Sequence, residues 1–451
     1  MQGMKIVRRF KKKPFIISRH RGTDCSTSPT NPPQSSFGKT GKKIVFWTFF
    51  PIIVGIGLFL LLTGWCYFTC PVYTFEEPEP FSGKQFYNPY QTITDDSWQK
   101  CVFHLHTKSW FGLTNGENTY EEMINAYRQL NYDVIAVSNY MKINRNKTDS
   151  LLFIPAYEHG YSVKKTHQLA LGTWKVVWRD YFFPQNLSQK QHIIDKLKDN
   201  SHFVAVNHPT MRSSYRPDDF KYLSGYDFLE VQNGTHLSEA AWDTALSSGR
   251  RAWLMANDDA HSASPERLQR EVTFIHVPVN VDSVITQKDE QLNLISNILT
   301  PKSYDLLYRL QHGIAFGVHF PRKVQPTMED KIKEANAVSF PTSIQVLDDT
   351  LHVVWQQTMQ KIEFIGDRGK LLKAVSDSDS ASYPIRPQDS YVRVKLTSPE
   401  GLVYYLNPVV RYGDNQQLPE SRIDTVKTYG KRLLGVLFVG ILFLLMVKIK
   451  C

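Results

Sequence analysis

Ile44 to Phe68 is an unbroken stretch of 25 residues without a charge, and no other feature limits the possible folds as severely. A run of that length crosses a hydrocarbon layer of about 30 Å as a helix. Inside lipid the backbone must satisfy its own hydrogen bonds, which leaves a lone segment no other conformation. Trp47, Trp65 and Tyr67 lie near the ends of the run, where aromatic side chains settle at the membrane boundary. A cleaved leader is a poor match, because the run is longer than a leader's apolar core and no A-x-A site follows it. The stretch therefore reads as an uncleaved transmembrane helix. Residues 1–43 hold 11 Lys/Arg against one acid, Asp24. That bias places the N-terminus in the cytoplasm and the body on the extracytoplasmic side.

The same tail carries the whole formal excess of +10, so the rest of the chain is neutral as a set. A nucleic-acid partner is excluded on that ground. Basic first and then rich in Ser, Thr and Pro, the tail is expected to be disordered. The body, in a chain that is 42% hydrophobic and 21% charged, has enough apolar material for a core without cross-links. Of the five cysteines only Cys101 lies well inside it, so no disulfide framework is expected there.

Residues 69–98, rich in Pro, acids and Tyr, are expected to form a linker. Thr119-Tyr-Glu-Glu122 then predicts a capping box opening a helix to about Leu130. Apolar runs follow at Asp133–Val137, Leu151–Tyr157, Phe203–Val206, Phe228–Val231, Trp253–Ala256 and Thr273–Val277, with helical patterns such as Ser238–Ser248 and Ser303–Gln311 among them. This rhythm over 99–325 predicts an α/β body with a parallel sheet, open or closed into a barrel. Over 335–415 short alternating runs take over and predict a small antiparallel sandwich. A last apolar run, 433–447, is flanked by Lys431-Arg432 and Lys448. It is short for a span, but flanking cations extend its reach, and a second transmembrane helix is expected.

Cys101-Val-Phe-His-Leu-His106 sets two imidazoles on one face of a strand-like segment, since side chains two apart point the same way. Paired imidazoles suit half the coordination shell of a transition ion. Alone the pattern is weak. Downstream, however, Glu158, His167, His208, Asp259 and His261 each stand at the end or start of another apolar run, and a strand-end position repeated so often is hard to reach by accident.

His104-Leu-His106-Thr107, Pro155-Ala-Tyr-Glu158, His167, His208-Pro209, Glu230-Val-Gln-Asn233 and Asp259-Ala-His261 together make the chain similar to the polymerase-and-histidinol-phosphatase (PHP) metal-dependent phosphoesterases. The resemblance covers about residues 100–320 and is nearest to the carbaryl-hydrolase-like branch, whose sandwich is also similar. It implies a distorted (β/α)7-like barrel holding zinc, manganese or iron. Position by position, it implies that His104, His106, Glu158 and Asp259 hold one ion. Glu158 would bridge to a second held by His167 and His208. A two-ion site with two carboxylates keeps a positive excess that attracts a phosphate ester, and hydrolysis by water is the implied reaction.

Two departures concern a third family ion. Lys108-Ser-Trp-Phe-Gly112 and Ser138-Asn139-Tyr140 stand where the family carries further ligands, so two divalent ions are expected. His261 is then free to act as general acid or phosphate binder. Lys108 or Lys142 would replace the lost positive charge, and Arg212 or Arg216 would grip a phosphate. The substrate is expected to be a small-molecule or lipid-linked phosphoester. Two other readings remain open: an inactive PHP-like binding or scaffold protein, and a hydrolase of a carbamate or carboxyl ester. Asn146, Asn186 and Asn233 begin glycosylation sequons.

Overall fold

The computed structural model describes residues 37–93, 97–145, 152–234, 236–278, 299–413 and 420–450. Most of the basic tail and the Asn146 sequon lie outside these residues. The chain divides into a unit ending at Leu60 and one running from Leu61 onward.

Capping chemistry sets several helix starts: Thr119 with Glu122, Asn186 with Gln189, and Thr327 with Asp330 each form a reciprocal capping box. In order, the chain forms α1 (Phe37–Thr69), β1 (Tyr73–Phe75), β2 (Gln85–Tyr87), β3 (Trp98–Val102), α2 (Tyr120–Gln129), β4 (Val134–Ile135) and β5 (Ala156–His159). Then come β6 (Gln168–Thr173), α3 (Leu187–Lys198), β7 (Ser201–Val206), β8 (Phe228–Asn233), β9 (His236–Leu237), α4 (Glu239–Ser247) and β10 (Trp253–Asn257). Next are β11 (Glu271–His276), α5 (Pro301–Gln311), β12 (Ala315–His319), α6 (Met328–Ala335), β13 (Pro341–Leu347) and β14 (Thr350–Gly366). β15 (Lys370–Pro384), β16 (Tyr391–Thr397), β17 (Val403–Leu406), β18 (Val409–Tyr412), β19 (Ser421–Ile423) and α7 (Thr425–Lys450) complete it.

The result, among the described residues, is a mixed α/β fold with three sheets. One has the order β10-β8-β7-β6-β5; the second runs β13-β14-β16-β17-β12-β11-β3-β4; β1 and β19 form the third. The expected parallel sheet survives only in part. β7, β8 and β10 are parallel, as are β3 and β4, but β6 is antiparallel to both β5 and β7. Only eight residues, 160–167, join β5 to β6, too few for the crossover that parallel neighbours require.

Two boundaries also change. The expected linker contributes β1 and β2, which pair with β19 and β18. The expected sandwich is not separate, because β17 pairs with β12 and so continues the sheet that contains β3. Buried side chains from β3, β4, β5, β6, β7, β8, β10, β11 and β12 form one apolar cluster, among them Cys101, Leu169, Phe203, Trp253 and Met255. Bridges and side chains tie the two large sheets together: Tyr140 bridges to Glu158, and the Thr273 hydroxyl bonds both the N–H and the carbonyl of Ala256.

Among the described residues one helix, Phe49–Thr69 within α1, is long and apolar enough to cross a membrane. α7 is a 26-residue helix that begins well before the expected apolar run. Its Lys431 donates to the carbonyls of Tyr67 and Cys70, and Arg432 to that of Thr69. These are carbonyls that a helix end leaves without partners.

Candidate metal centre

β3 ends at Val102, and the segment beyond it carries His104 and His106 inward with both rings buried. Asn139 fixes this segment by accepting from the Thr107 N–H at 2.8 Å and donating to the Thr107 hydroxyl at 2.9 Å. Glu158 lies on β5, His167 just before β6, His208 just after β7 and Asp259 just after β10. Because β6 runs antiparallel to its neighbours, its start lies beside the ends of the others, which is why a residue preceding a strand joins residues that follow strands. Gly160 makes room for His167: a Cβ there would lie 2.5 Å from the imidazole Cδ2. His208 and Asp259 have φ of 27° and 49°, a strained region that chains tolerate mainly at functional sites.

Four ligand atoms converge. The Nε2 atoms of His104 and His106 are 3.3 Å apart. Glu158 Oε2 lies 3.3 Å from the first and 3.1 Å from the second, and Asp259 Oδ1 lies 3.2 Å and 3.3 Å from them. With metal–ligand bonds of about 2.0–2.1 Å, the edge of a tetrahedron is about 3.3–3.4 Å. The spacing therefore matches a tetrahedral cage. Both carboxylate oxygens are buried and accept no well-formed hydrogen bond, an expensive state for oxygens that hold no cation. The other oxygen of Glu158, Oε1, meets His167 Nδ1 at 2.8 Å, His208 Nε2 at 3.0 Å and Asn207 Nδ2 at 3.3 Å. The two groups, His104–His106–Glu158–Asp259 and Glu158–His167–His208, can each hold a metal ion.

Electrostatics point the same way. Burial pushes the Glu158 carboxyl up, but the imidazoles of His167 and His104 outweigh it and hold the group well below its ordinary range. Asp259 is likewise held low against burial, chiefly by His104. Burial alone would lower His104, yet Asp259, Glu158 and Glu230 raise it well above the usual imidazole value. Among the described residues no Lys or Arg pairs with these carboxylates. The site thus concentrates negative charge in a buried place and faces it with imidazoles and neutral amides, which suits divalent cations.

All six expected ligands meet here. His261 joins them: its Nε2 is 3.7 Å from Asp259 Oδ1, its ring centroid is 4.4 Å from that of His106, and its Nδ1 has no partner. Burial first and His106 second hold its imidazole down, to about 4. Lys108 and Lys142 are exposed. Arg212 turns to the Val163 carbonyl at 3.3 Å. Arg216 starts a one-turn helix, where its N–H donates to Asp219. The cation nearer the site is Lys165, whose Nζ lies 5.2 Å from the Tyr140 ring; that ring stacks on His106 at 4.3 Å. Nothing in the sequence distinguishes Lys165 from its neighbour Lys164.

Glu230 is the main residue whose role only the structure reveals. It meets His104 Nδ1 at 2.9 Å and accepts from the His208 N–H at 2.9 Å, from Asn233 at 2.9 Å and from Asn257 at 3.0 Å. Asn233 is buried against Glu230 and Asp259, and Asn186 caps α3, so both sequon asparagines have structural partners. No family model, curated protein or solved structure matches this chain.

Proposed function

We propose that the chain is a membrane-anchored, metal-dependent phosphoesterase whose body is a distorted barrel similar to that of the PHP enzymes. The observation that carries this reading is the split role of Glu158. One of its oxygens faces His104, His106 and Asp259, and the other faces His167 and His208. A carboxylate, with two oxygens carrying one shared charge, can bridge two ions in this way, whereas a neutral imidazole has a single free lone pair to offer. The barrel reading is supported by the apolar cluster shared among nine strands and by the bridge between Tyr140 and Glu158.

In this reading His104, His106, Glu158 and Asp259 hold one divalent ion, and Glu158, His167 and His208 hold the second. Two such ions supply Lewis acidity and lower the pKa of water enough for hydrolysis near neutral pH. Glu230 would accept a hydrogen bond from His104 Nδ1–H, fixing the tautomer that leaves Nε2 free as the ligand atom. With Glu230 included, three buried carboxylates reduce the positive excess expected from two, yet two divalent ions still leave the site attractive to an anion. His261, with its side chain 29% exposed and Nδ1 unpaired, is placed to bond a phosphate oxygen. α1 anchors the protein, with the basic tail cytoplasmic and the site extracytoplasmic, and α7 forms a second span.

Metal analysis of the purified full-length chain, with parallel assays on a phosphodiester, a phosphomonoester and a carboxyl ester, tests this. About two divalent ions per chain and phosphoester turnover that falls at least ~10³-fold in Glu158→Ala are expected. A chain without metal, or turnover that survives His104→Ala, would overturn the proposal. Turnover of the carboxyl ester alone would reassign the substrate.

A further inference from the structure

Two short loops beside the metal centre expose large apolar side chains. Phe111 is fully exposed and Leu113 is 87% exposed, on the turn that follows the His-x-His segment. Trp178, 61% exposed, lies on the loop after β6. The indoles of Trp110 and Trp178 meet edge to face with centroids 6.0 Å apart, so the two loops form one surface. Trp110 and Phe111 have φ of 51° and 56°, which bulky residues rarely adopt. The turn holds Phe111 outward against that preference. A soluble face would gain nothing from it.

This surface touches the metal centre on one side and the end of α1 on the other. Trp110 Nε1 donates to the Tyr140 carbonyl at 2.8 Å, and the Tyr140 ring covers His106. Arg179, next to Trp178, donates to the Thr69 hydroxyl at 2.8 Å and to the Cys66 carbonyl at 3.4 Å. Its own carbonyl bonds His159 Nε2 at 2.9 Å, and His159 follows Glu158 in the chain. The Phe183 N–H and the Tyr67 hydroxyl bond at 2.9 Å. One arginine thus links the last turn of the apolar helix to the neighbour of the bridging carboxylate. Trp65 and Tyr67 mark that end of the helix as the level of the lipid headgroups.

We propose that the aromatic surface of Phe111, Leu113, Trp110 and Trp178 inserts into the headgroup layer of the bilayer that holds α1. The metal centre then takes the phosphate of a lipid phosphoester presented from that layer. The docking half rests on α1 lying in the membrane, and the substrate half rests on the phosphoesterase reading. Drawing an acyl chain into water costs free energy for every methylene, so a site for such a substrate must come to the headgroup. Lys164, exposed on the loop beside Val163, adds positive charge of the kind an anionic layer attracts. In the reaction water adds to phosphorus, the P–O bond to the lipid's alcohol breaks, and the leaving oxygen takes up a proton. No electron donor or acceptor is involved.

The test uses the full-length chain in vesicles of phosphatidylcholine and phosphatidic acid, with Cys25, Cys66 and Cys451 replaced by serine. A fluorescent label is attached through Phe111→Cys or Leu113→Cys. Nitroxides on the acyl chains are expected to quench the label several-fold more than aqueous iodide does. Equal or stronger quenching by iodide overturns the docking. In a second arm, Phe111→Glu combined with Leu113→Glu is expected to lower the ratio of turnover on vesicle phosphatidic acid to turnover on soluble p-nitrophenyl phosphate by about tenfold or more. Both side chains are exposed, so neither substitution reaches the core. An unchanged ratio overturns the substrate half alone. Absence of turnover on both monoesters overturns the substrate half; the phosphoesterase reading falls with it only if the phosphodiester is also left intact, and docking is then judged by quenching.

Discussion

Glu230 carries four hydrogen bonds, two of them to the expected metal ligands His104 and His208. Residues in that position fix ring orientation and ligand basicity, and their loss typically costs about 10–100-fold in metal affinity. Glu230→Gln should therefore weaken metal binding by about that factor in a chelator titration, with the fold intact. Glu271 makes a different prediction. Burial pushes its carboxyl up to about 7, against the pull of His319, which meets it at 2.7 Å. Gln232 also donates to it, and Asp258 and Arg270 lie close by. The folded chain thus holds this proton more tightly than an unfolded chain with an ordinary value of 4.5. The stabilisation from that proton is complete below about 4.5 and lost as pH rises through about 7. The melting temperature of Glu271→Gln relative to the parent should rise across that window; a pH-independent difference would show that the carboxyl is not buried as described. At this scale the six candidate ligands were legible because His, Glu and Asp are conspicuous at the ends of apolar runs. Glu230 was visible only as part of a resemblance. Its partners come from β8, from the loops beyond β3 and β7, and from β10, and no spacing in the chain encodes that. Lys108 is exposed and Arg212 turns to the Val163 carbonyl, because a long exposed cation is not placed by its chain position.

Most apolar runs became strands, and the Thr119 capping box formed as expected, because both signals are local. Strand direction and partner were not legible. β5 and β6 pair antiparallel through a short connection, and the three-residue strands β1 and β2 exist only through partners more than 300 residues away. Between elements the strongest polar tie is Asp243 on α4 with Arg393 on β16, bonded at 2.7 Å and 2.8 Å with both side chains under 10% exposed. The Tyr391 hydroxyl donates to the same carboxylate at 2.9 Å. Arg393 keeps a second acid, Glu239 at 3.0 Å, so removing Asp243 costs less than the ~3–5 kcal/mol of a wholly uncompensated buried charge, about 2–3 kcal/mol. Asp243→Ala should lower unfolding free energy by about that amount in denaturant titration. A change below about 1 kcal/mol would mean that the pair is solvated.

Across the whole molecule, the C-terminal strands complete the sheet whose strand β3 leads into His104 and His106. β17 covers the edge of β12, and the Asn407 side chain accepts from the Leu254 N–H of β10 at 2.8 Å. A chain ending at residue 334 would leave that edge and that donor unpaired. It should be aggregated or metal-free by size exclusion and metal analysis, whereas a monodisperse, metal-loaded product would show that the first part folds alone. A change of alternation in the sequence marks where this region begins, but edge pairing across such a distance leaves no local mark, so its continuity with the rest was not legible. The pairing of β1 with β19, reinforced by Lys431 and Arg432 on the end of α1, has one more effect. Everything between those strands is a loop buckled at its neck. A protease that nicks an exposed turn yields two fragments still fastened at the same buckle, so broken chain continuity would not by itself part them.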